Sequence, residues 1–327
     1  MKHVSVLVPN SPCILSSVIG AFKVFTTVNM TLERQGKKPF FNIKLVGLSK
    51  ETSLYDGLFI VRPEALIGEV PKTDLIVIPA FNGDISSCLK LNQDYIPWIT
   101  EQYKQGAEVA SLCTGAFLLA STGLLKGKKC STHWVAADAF RQAFPDVKLQ
   151  PEKIITDELG MYSSGGAYSF LNLMIYLVEK YCGREMAVYC SKMLEIEIER
   201  KSQSPFAIFT GQKTHEDEPI KKAQLFMENN VNSKVSVDQL SDMFSISRRN
   251  FERRFKKATS NSPVEYLQRV KIDAAKKSLE SSRENVNEVM YSVGYSDSKA
   301  FRTMFKKITG LSPISYRNKY NREMAVK

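Results

Sequence analysis

The chain has few of the residues that build metal centres and disulfide frameworks. It contains six cysteines and three histidines in 327 residues. None of the cysteines forms a CxxC pair, and all of them lie in the first two thirds of the chain. This pattern predicts neither a disulfide framework nor a zinc site and is typical of reduced thiols in a cytoplasm. The histidines are too scattered for a metal cage, and we predict no cofactor.

Long apolar runs are also missing. The N-terminus, MKHVSVLVPN, has neither the apolar core nor the small-residue cleavage site of a signal peptide. No apolar run approaches the roughly 20 residues that cross a bilayer. We therefore predict a cytoplasmic protein with no membrane partner.

Acidic residues are scarce, relative to basic ones, in the last third of the chain. Residues 217–327 contain 22 Lys and Arg against 13 Asp and Glu, which gives +9 of the total net charge of +11. Positive charge concentrated in one part predicts that this part contacts a polyanion while the rest has another role.

The same region contains one stretch twice, 50 residues apart. Residues 249–266 read RNFERRFKKATSNSPVEY, and residues 299–316 read KAFRTMFKKITGLSPISY. A repeat at a fixed period indicates one structural unit used twice. Phe251 and Phe301 begin the apolar face of each copy, so we expect both to be buried anchors of a cationic helix.

Each copy predicts a helix, a tight turn and a second helix. The first helices are residues 237–244 and 287–294, and the second helices begin after Ser247 and Asp297, which stand at N-cap positions. This arrangement sets a second helix into the major groove of duplex DNA. Residues 264–282 read as one long helix, which would hold the two units about one DNA turn, roughly 34 Å, apart.

The first part of the chain alternates strand and helix signals. This alternation predicts an α/β sandwich with a mainly parallel sheet, followed by an all-α domain with two helix-turn-helix units. Periodicity is lost in a segment that mixes Ser, Pro, Gly and charge. We therefore predict an α/β domain for sensing or dimerisation at residues 1–200, a linker at 201–219 and a DNA-binding domain at 220–327.

One cysteine lies where a strand meets a helix. In EVASLCTGAFLLASTGLL (108–125), Cys113 follows a buried strand and precedes Thr114 and Gly115. Such a turn exposes a nucleophile, and a helix N-terminus lowers the pKa of a thiol. His133 would reach Cys113 as a base or partner. We expect an accessible, acidified thiol, and the alternative is a buried structural cysteine.

The C-terminal part resembles the AraC/XylS family of transcription regulators. The family motif F-x-x-x-F-K-x-x-x-G-x-S-P-x-x-Y-R fits residues 301–317, and Gly294-Tyr295 match its Gly-aromatic pair. Phe244 and Ser260 stand where the second copy has Gly, so we expect slight strain in those turns.

This resemblance implies DNA-facing positions on both recognition helices and RNA polymerase as a further partner. Arg can pair with guanine through two bonds, whereas most Lys contacts go to phosphate. Lys256 and Lys306 project from the same two helices, so we also expect them to contact DNA. The base-facing positions that the resemblance implies are Arg249, Glu252 and Arg253 in the first helix and Ser298, Lys299, Arg302 and Thr303 in the second.

Residues 1–190 resemble the ThiJ/PfpI branch of the class I glutamine-amidotransferase-like superfamily. The likeness rests on Cys113-Thr114-Gly115, His133-Trp134 and DELGMYSSGG (157–166). Many relatives place a carboxylate near the N-terminus, where this chain has Ser17. The missing carboxylate removes a proton-handling group, which argues against turnover. We predict a ligand or redox site formed by Cys113, Thr114, Gly115, His133 and Ser17, and we assign no catalytic residue.

The sequence therefore predicts a sequence-specific transcription regulator that binds operator or promoter DNA as a homodimer. Its N-terminal domain would sense an unknown small-molecule effector or the redox state. The alternative is a ThiJ/PfpI-like cysteine hydrolase or amidase with a DNA-binding appendage. Cys113 and His133 favour that enzyme, and Ser17 argues against it. A nonspecific nucleoid-binding protein is disfavoured because it needs no duplicated recognition helix.

Overall fold

The computed structural model describes residues 1–198, 202–213 and 215–321. The chain divides into two compact units, an N-terminal domain of Met1–Gln203 and a C-terminal domain of Ser204–Lys327. The boundary between them falls within the segment 201–219 that the sequence predicts as a linker.

The N-terminal domain has an α/β architecture. Its strands are β1 (Lys2–Val8), β2 (Phe41–Gly47), β3 (Thr52–Leu54), β4 (Phe59–Val61), β5 (Ala65–Leu66), β6 (Leu75–Ile78), β7 (Glu108–Leu112), β8 (Lys129–Cys130), β9 (Lys148–Leu149), β10 (Ile155–Glu158) and β11 (Met161–Ser164). Its helices are α1 (Leu15–Arg34), α2 (Ile85–Leu91), α3 (Tyr95–Lys104), α4 (Ala116–Ser121), α5 (Ala137–Ala143), α6 (Phe170–Cys182) and α7 (Arg184–Met193).

A seven-stranded sheet forms the middle layer of this domain. Its strand order is β10-β11-β7-β6-β1-β2-β5. Neighbouring strands run parallel except β10 and β11, which pair antiparallel. One apolar core includes residues of α1 and α6, and a second includes residues of α3 and α4. All four residues of β6 are fully buried, as expected for a strand covered on both faces. The predicted α/β sandwich is confirmed.

Contrary to the expectation from the sequence, one helix, α1, has the length and apolar composition of a membrane span, and it is the only such helix among the described residues. Its inner face carries Val18, Val24, Phe25 and Val28, all buried in the first apolar core. Because this face packs within the domain, we describe α1 as a core helix.

The C-terminal domain is all-helical over its described residues. Its helices are α8 (Glu218–Asn229), α9 (Val237–Met243), α10 (Arg248–Thr259), α11 (Pro263–Ser281), α12 (Val286–Ser292), α13 (Ser298–Thr309) and α14 (Pro313–Tyr320). The predicted helix-turn-helix units are the pairs α9–α10 and α12–α13, and α11 joins them. Two apolar cores form, one for each unit, and α11 contributes residues to both.

The two helix-turn-helix turns differ by one residue. Residues 244–247 connect α9 to α10, whereas residues 293–297 connect α12 to α13. In the shorter turn the left-handed residue is Ser245, with φ 53°, and its counterpart in the longer turn is Gly294, with φ 72°. Strain is therefore present in this turn as expected, but Ser245 carries it rather than Phe244, which has φ −107°. The expectation at Ser260 is confirmed, because its φ is 58°.

Residues 204–213, which we call the strap, pack on the C-terminal domain. At its start, the hydroxyl of Tyr320 donates to the carbonyl of Pro205 at 3.3 Å, and the rings of Phe206 and Tyr320 lie 6.3 Å apart. Further along, Lys276 of α11 donates to the carbonyl of Ala207. The strap therefore begins against α14 and continues onto α11.

The strap then reaches the first helix-turn-helix unit. The backbone N–H of Phe209 donates to Asp273 at 3.2 Å, and its ring packs 5.0 Å from that of Tyr266. Beyond it, Asp217 accepts two hydrogen bonds from Arg254 of α10, at 2.7 and 2.9 Å. Most of the predicted linker is thus held on the C-terminal domain by specific contacts.

Candidate nucleic-acid interface and the Cys113 elbow

Helices α10 and α13 repeat one design. Each has twelve residues, and each buries two phenylalanines completely. The ring centroids of Phe251 and Phe255 lie 5.7 Å apart, and those of Phe301 and Phe305 lie 5.8 Å apart. The predicted burial of Phe251 and Phe301 is confirmed. Each helix therefore has one face fixed against its core and the other available for contact.

The two helices begin differently. Asp297 accepts hydrogen bonds from the backbone N–H groups of Lys299 and Ala300 at 2.7 and 3.2 Å. Ser247 occupies the N-cap position of α10, but its side chain makes no capping bond. The start of α13 is therefore better fixed than the start of α10.

The residues expected to contact DNA lie on the outer faces of these helices. Glu252 and Ser298 are half-buried, and the others are exposed. Within the described residues, Arg249, Lys299 and Arg302 form no ion pair, whereas Arg253 donates to Asn250 at 2.8 Å. The exposed members are Arg249, Arg253 and Lys256 on α10 and Lys299, Arg302, Thr303 and Lys306 on α13.

Two other cations of α10 have structural partners that the sequence did not reveal. Arg248 bonds to Asp238 at 3.0 Å and to Glu252 at 3.2 Å. Arg254 bonds to Asp217, whose carboxyl pKa is lowered by those hydrogen bonds. Glu252, expected to face bases, is therefore partly engaged by its own helix.

The backbone at Cys113 has the geometry of a strained elbow. Cys113 directly follows β7 and has φ 55°, a left-handed value that is rare for residues other than glycine. A short 3₁₀ turn, Cys113–Gly115, leads into α4. A Cβ atom at Gly115 would lie 2.5 Å from the carbonyl oxygen of Pro79, so only glycine fits there. The sharp strand-to-helix turn expected from the sequence is present.

The thiol of Cys113 is buried and neutral. Its residue is 6% exposed, and burial raises the thiol pKa to about 11. Hydrogen bonds from Thr114 and from the backbone of His133 lower it but do not offset burial. Helix α4 starts only at Ala116 and has six residues, so its dipole gives little help. The expectation of an accessible, acidified thiol is wrong.

His133 is not placed as a base. Its Nδ1 atom accepts a hydrogen bond from the backbone N–H of Val135 at 3.1 Å, which caps a short 3₁₀ turn. Burial lowers the imidazole pKa, so the ring is neutral near pH 7. Since Nδ1 is engaged, the proton lies on Nε2, and neither nitrogen is ready to accept a proton from Cys113.

Ser17 has a structural role. It is 1% exposed, its hydroxyl donates to the carbonyl of Ile14 at 2.6 Å, and it accepts from the backbone N–H of Ala80 at 3.0 Å. Thr114 donates to the carbonyl of Phe81 at 2.8 Å. The hydroxyls at these positions hold the loops around the elbow and supply no carboxylate for proton transfer.

Gln203 is a residue of the elbow that sequence reasoning missed. Its side chain is buried, with Nε2 donating to the carbonyl of Thr132 at 2.9 Å and Oε1 accepting from the backbone N–H of Trp134 at 3.2 Å. It thereby braces the loop in which the backbone of His133 bonds to the thiol. No local signal could have found it, because Gln203 lies 71 residues from Thr132 along the chain.

No group of three His, Cys, Asp or Glu side chains suited to a metal ion occurs among the described residues. A buried hydroxyl without a hydrogen-bond partner, Ser169 Oγ, lies beside Gly166 near the Gln203 side chain. The described residues around the elbow therefore offer polar groups but no cluster of metal ligands.

Two family models match the chain, one in each domain. The DJ-1/PfpI family matches residues 29–180, and a helix-turn-helix domain matches residues 240–319. The HTH-type transcriptional regulator GbdR of Pseudomonas aeruginosa is 27% identical over 79% of this chain and 69% of its own. The regulator ArgR of the same species is 26% identical over 81% of this chain and 83% of its own.

A solved structure is also similar to this chain. A putative transcriptional regulator from Vibrio parahaemolyticus is 25% identical with a TM-score of 0.53, over 59% of this chain and 98% of its own. Both family models and these relatives agree with the architecture described above. The chain is therefore a DNA-binding transcription regulator that joins a DJ-1/PfpI-type domain to an AraC-type helix-turn-helix domain.

Proposed function

We propose that α10 and α13 read two adjacent segments of the major groove of one operator. The observation that carries this proposal is the repeated design of the two helices, with the same phenylalanines buried and cations exposed in each. Lys256 and Lys306 would contact phosphates, and Arg249, Arg253, Lys299 and Arg302 would lie nearest the bases. Ser298, Thr303 and Glu252 complete the proposed interface.

We further propose that residues up to Gln203 sense a small molecule and mediate dimerisation. The buried thiol argues against direct redox sensing, because oxidants react with the thiolate. The elbow loops around Cys113, Thr114, Gly115, His133 and Ser17 would respond to an effector bound near them. Binding of the effector changes the affinity for DNA only if the effector binds one conformation of the protein more tightly than another.

This proposal assigns no enzymatic turnover to the elbow. A cysteine hydrolase needs a thiolate and a route for protons, and three features oppose both: the raised pKa of Cys113, the engaged Nδ1 of His133 and the hydroxyl at position 17. We place the protein in the cytoplasm with promoter DNA and RNA polymerase as its partners.

Selection of bound duplexes from a random pool by the full-length protein tests the DNA-reading proposal. We expect one preferred sequence with two recognised segments about one helical turn apart. A plot of the logarithm of the binding constant against the logarithm of the salt concentration should have a slope of about −0.9 for each phosphate neutralised. Binding with no sequence preference would contradict the proposal.

A screen of hydrolase and amidase substrates tests the elbow. We expect no turnover by the wild type. Turnover that disappears in Cys113→Ser would move the protein to the enzyme class and would leave the DNA-reading proposal untouched.

A further inference from the structure

The two helix-turn-helix units have separate cores, and one helix passes from one core to the other. On α11, Tyr266 and Val270 belong to the core of the first unit, whereas Ile272 and Ala275 belong to the core of the second. Lys271 lies between these two sets. It stands at the point where the helix leaves one unit and enters the next.

The ammonium group of Lys271 touches both units. The residue is 7% exposed, and its Nζ donates to the carbonyl of Ser233 at 3.1 Å, in the loop between α8 and α9. It also donates to the carbonyls of Val293 at 3.1 Å and Gly294 at 3.4 Å, in the turn between α12 and α13. An ammonium has three protons, and all three can be used here.

The partners of this cation are neutral. The ion pairs of the described residues do not include Lys271, and the ring of Tyr295 lies 5.8 Å from its Nζ. Removing the ammonium from water costs free energy, and the same burial lowers the pKa of the amine. A costly buried polar group with directional bonds is suited to fixing one geometry rather than to adding stability.

The neighbouring backbone is shaped around this group. A Cβ atom at Gly294 would lie 2.6 Å from both the carbonyl oxygen of Asn232 and Lys271 Nζ. The two units therefore approach backbone to backbone at this point. Beside it lies a cleft of about 290 Å³ lined by residues that include Met227, Leu240 and Tyr295. Because apolar packing across this cleft is incomplete, the polar contacts hold the two units together there.

We propose that Lys271 is a positioning residue that locks the two recognition helices in one mutual arrangement and thereby sets the spacing of the two DNA segments the protein accepts. This inference rests on the proposed reading of DNA by both helices. It assigns Lys271 no contact with DNA.

The test compares Lys271→Met with Gly294→Ala and with the control Lys277→Met in the full-length protein. Lys277 lies on the same helix, but its side chain is 72% exposed. The probes are the selected duplex, derivatives with one or two base pairs inserted between its two recognised segments, and derivatives with only one segment.

We expect Lys271→Met to lose about tenfold or more on the selected duplex and less than about twofold on the one-segment duplexes, since linked contacts lose their mutual support when their geometry loosens. Its preference for one spacing should flatten, and its salt slope should stay unchanged. Gly294→Ala should behave likewise, and Lys277→Met should match the wild type.

Other outcomes overturn the inference. An equal loss on every duplex would show a purely structural role, and a salt slope reduced by about 0.9 would show a phosphate contact. If Lys271→Met does not fold, the Gly294→Ala variant provides the test. Retention of the wild-type spacing preference by Gly294→Ala would then refute the inference.

A measurement without DNA separates this inference from the proposed function. Dyes at Lys257→Cys and Lys307→Cys, in a Cys182→Ser background, report the distance between α10 and α13. We expect Lys271→Met to broaden that distance distribution. An unchanged distribution would refute the lock even if the protein binds DNA as proposed, whereas a broadened one would support it even if the wild type shows no sequence preference.

Discussion

The state of the Cys113 thiol gives the most direct test of the elbow. Burial raises its pKa from the ordinary 9.0 to about 11. Below both values, each unit of pKa lowers the thiolate fraction tenfold, so near pH 7 the folded protein should hold about one hundredth of the thiolate of an unperturbed cysteine. Since the thiolate is the reactive form, Cys113 should alkylate about a hundredfold more slowly than a cysteine in a peptide.

Iodoacetamide labelling, read at the peptide level by mass spectrometry from pH 7 to 10, measures this rate. We expect a rise of about tenfold per pH unit with no plateau in that range. The same residue in guanidinium chloride serves as the control and should react like a peptide thiol. A plateau below pH 8 in the folded protein would refute the argument from burial and restore an acidified thiol.

Three further predictions concern the C-terminal domain. Phe301→Ala should lower the free energy of unfolding by about 3–5 kcal/mol, because its ring is fully buried; a near-unchanged denaturation midpoint would contradict this. Ser260→Gly should raise it by about 1 kcal/mol by removing left-handed strain, and Gly310→Ala at the equivalent position should lower it by a similar amount; destabilisation by Ser260→Gly would oppose the strain argument. Arg253→Ala should weaken operator binding by about 1–3 kcal/mol and relax preference at one base pair, while Lys257→Ala should weaken all duplexes equally; identical, sequence-independent losses in titrations of both variants would show the wrong helix orientation.

Local and repeated features were predictable from the sequence. The burial of Phe251 and Phe301 follows from their spacing with Phe255 and Phe305, and the repeat supplies a second copy of the same pattern. The strain at Ser260 follows from comparison with Gly310. Each of these depends on residues close along the chain, where helical periodicity and cap chemistry decide the outcome.

Features that depend on distant residues were not predictable. Burial raises the thiol pKa of Cys113, and the backbone of this residue bonds to Thr132 and Ser164, which lie 19 and 51 positions away along the chain. The left-handed turn falls at Ser245 because the first turn is one residue shorter, which an ungapped repeat hides. Lys271 bonds to Val293 and Ser233, which lie 22 and 38 positions away along the chain.

The strap described above begins directly after the last residue of the N-terminal domain. Gln203 is fixed in the elbow loop, and Pro205 already accepts a hydrogen bond from Tyr320. Only Ser204 separates these two anchored residues along the chain. A long flexible linker would instead let each domain bind its ligand independently of the other. Chimeras that exchange sensor domains between such regulators should therefore be joined between Gln203 and Ser204, and a glycine-serine spacer inserted there should uncouple effector from DNA binding while both domains stay folded.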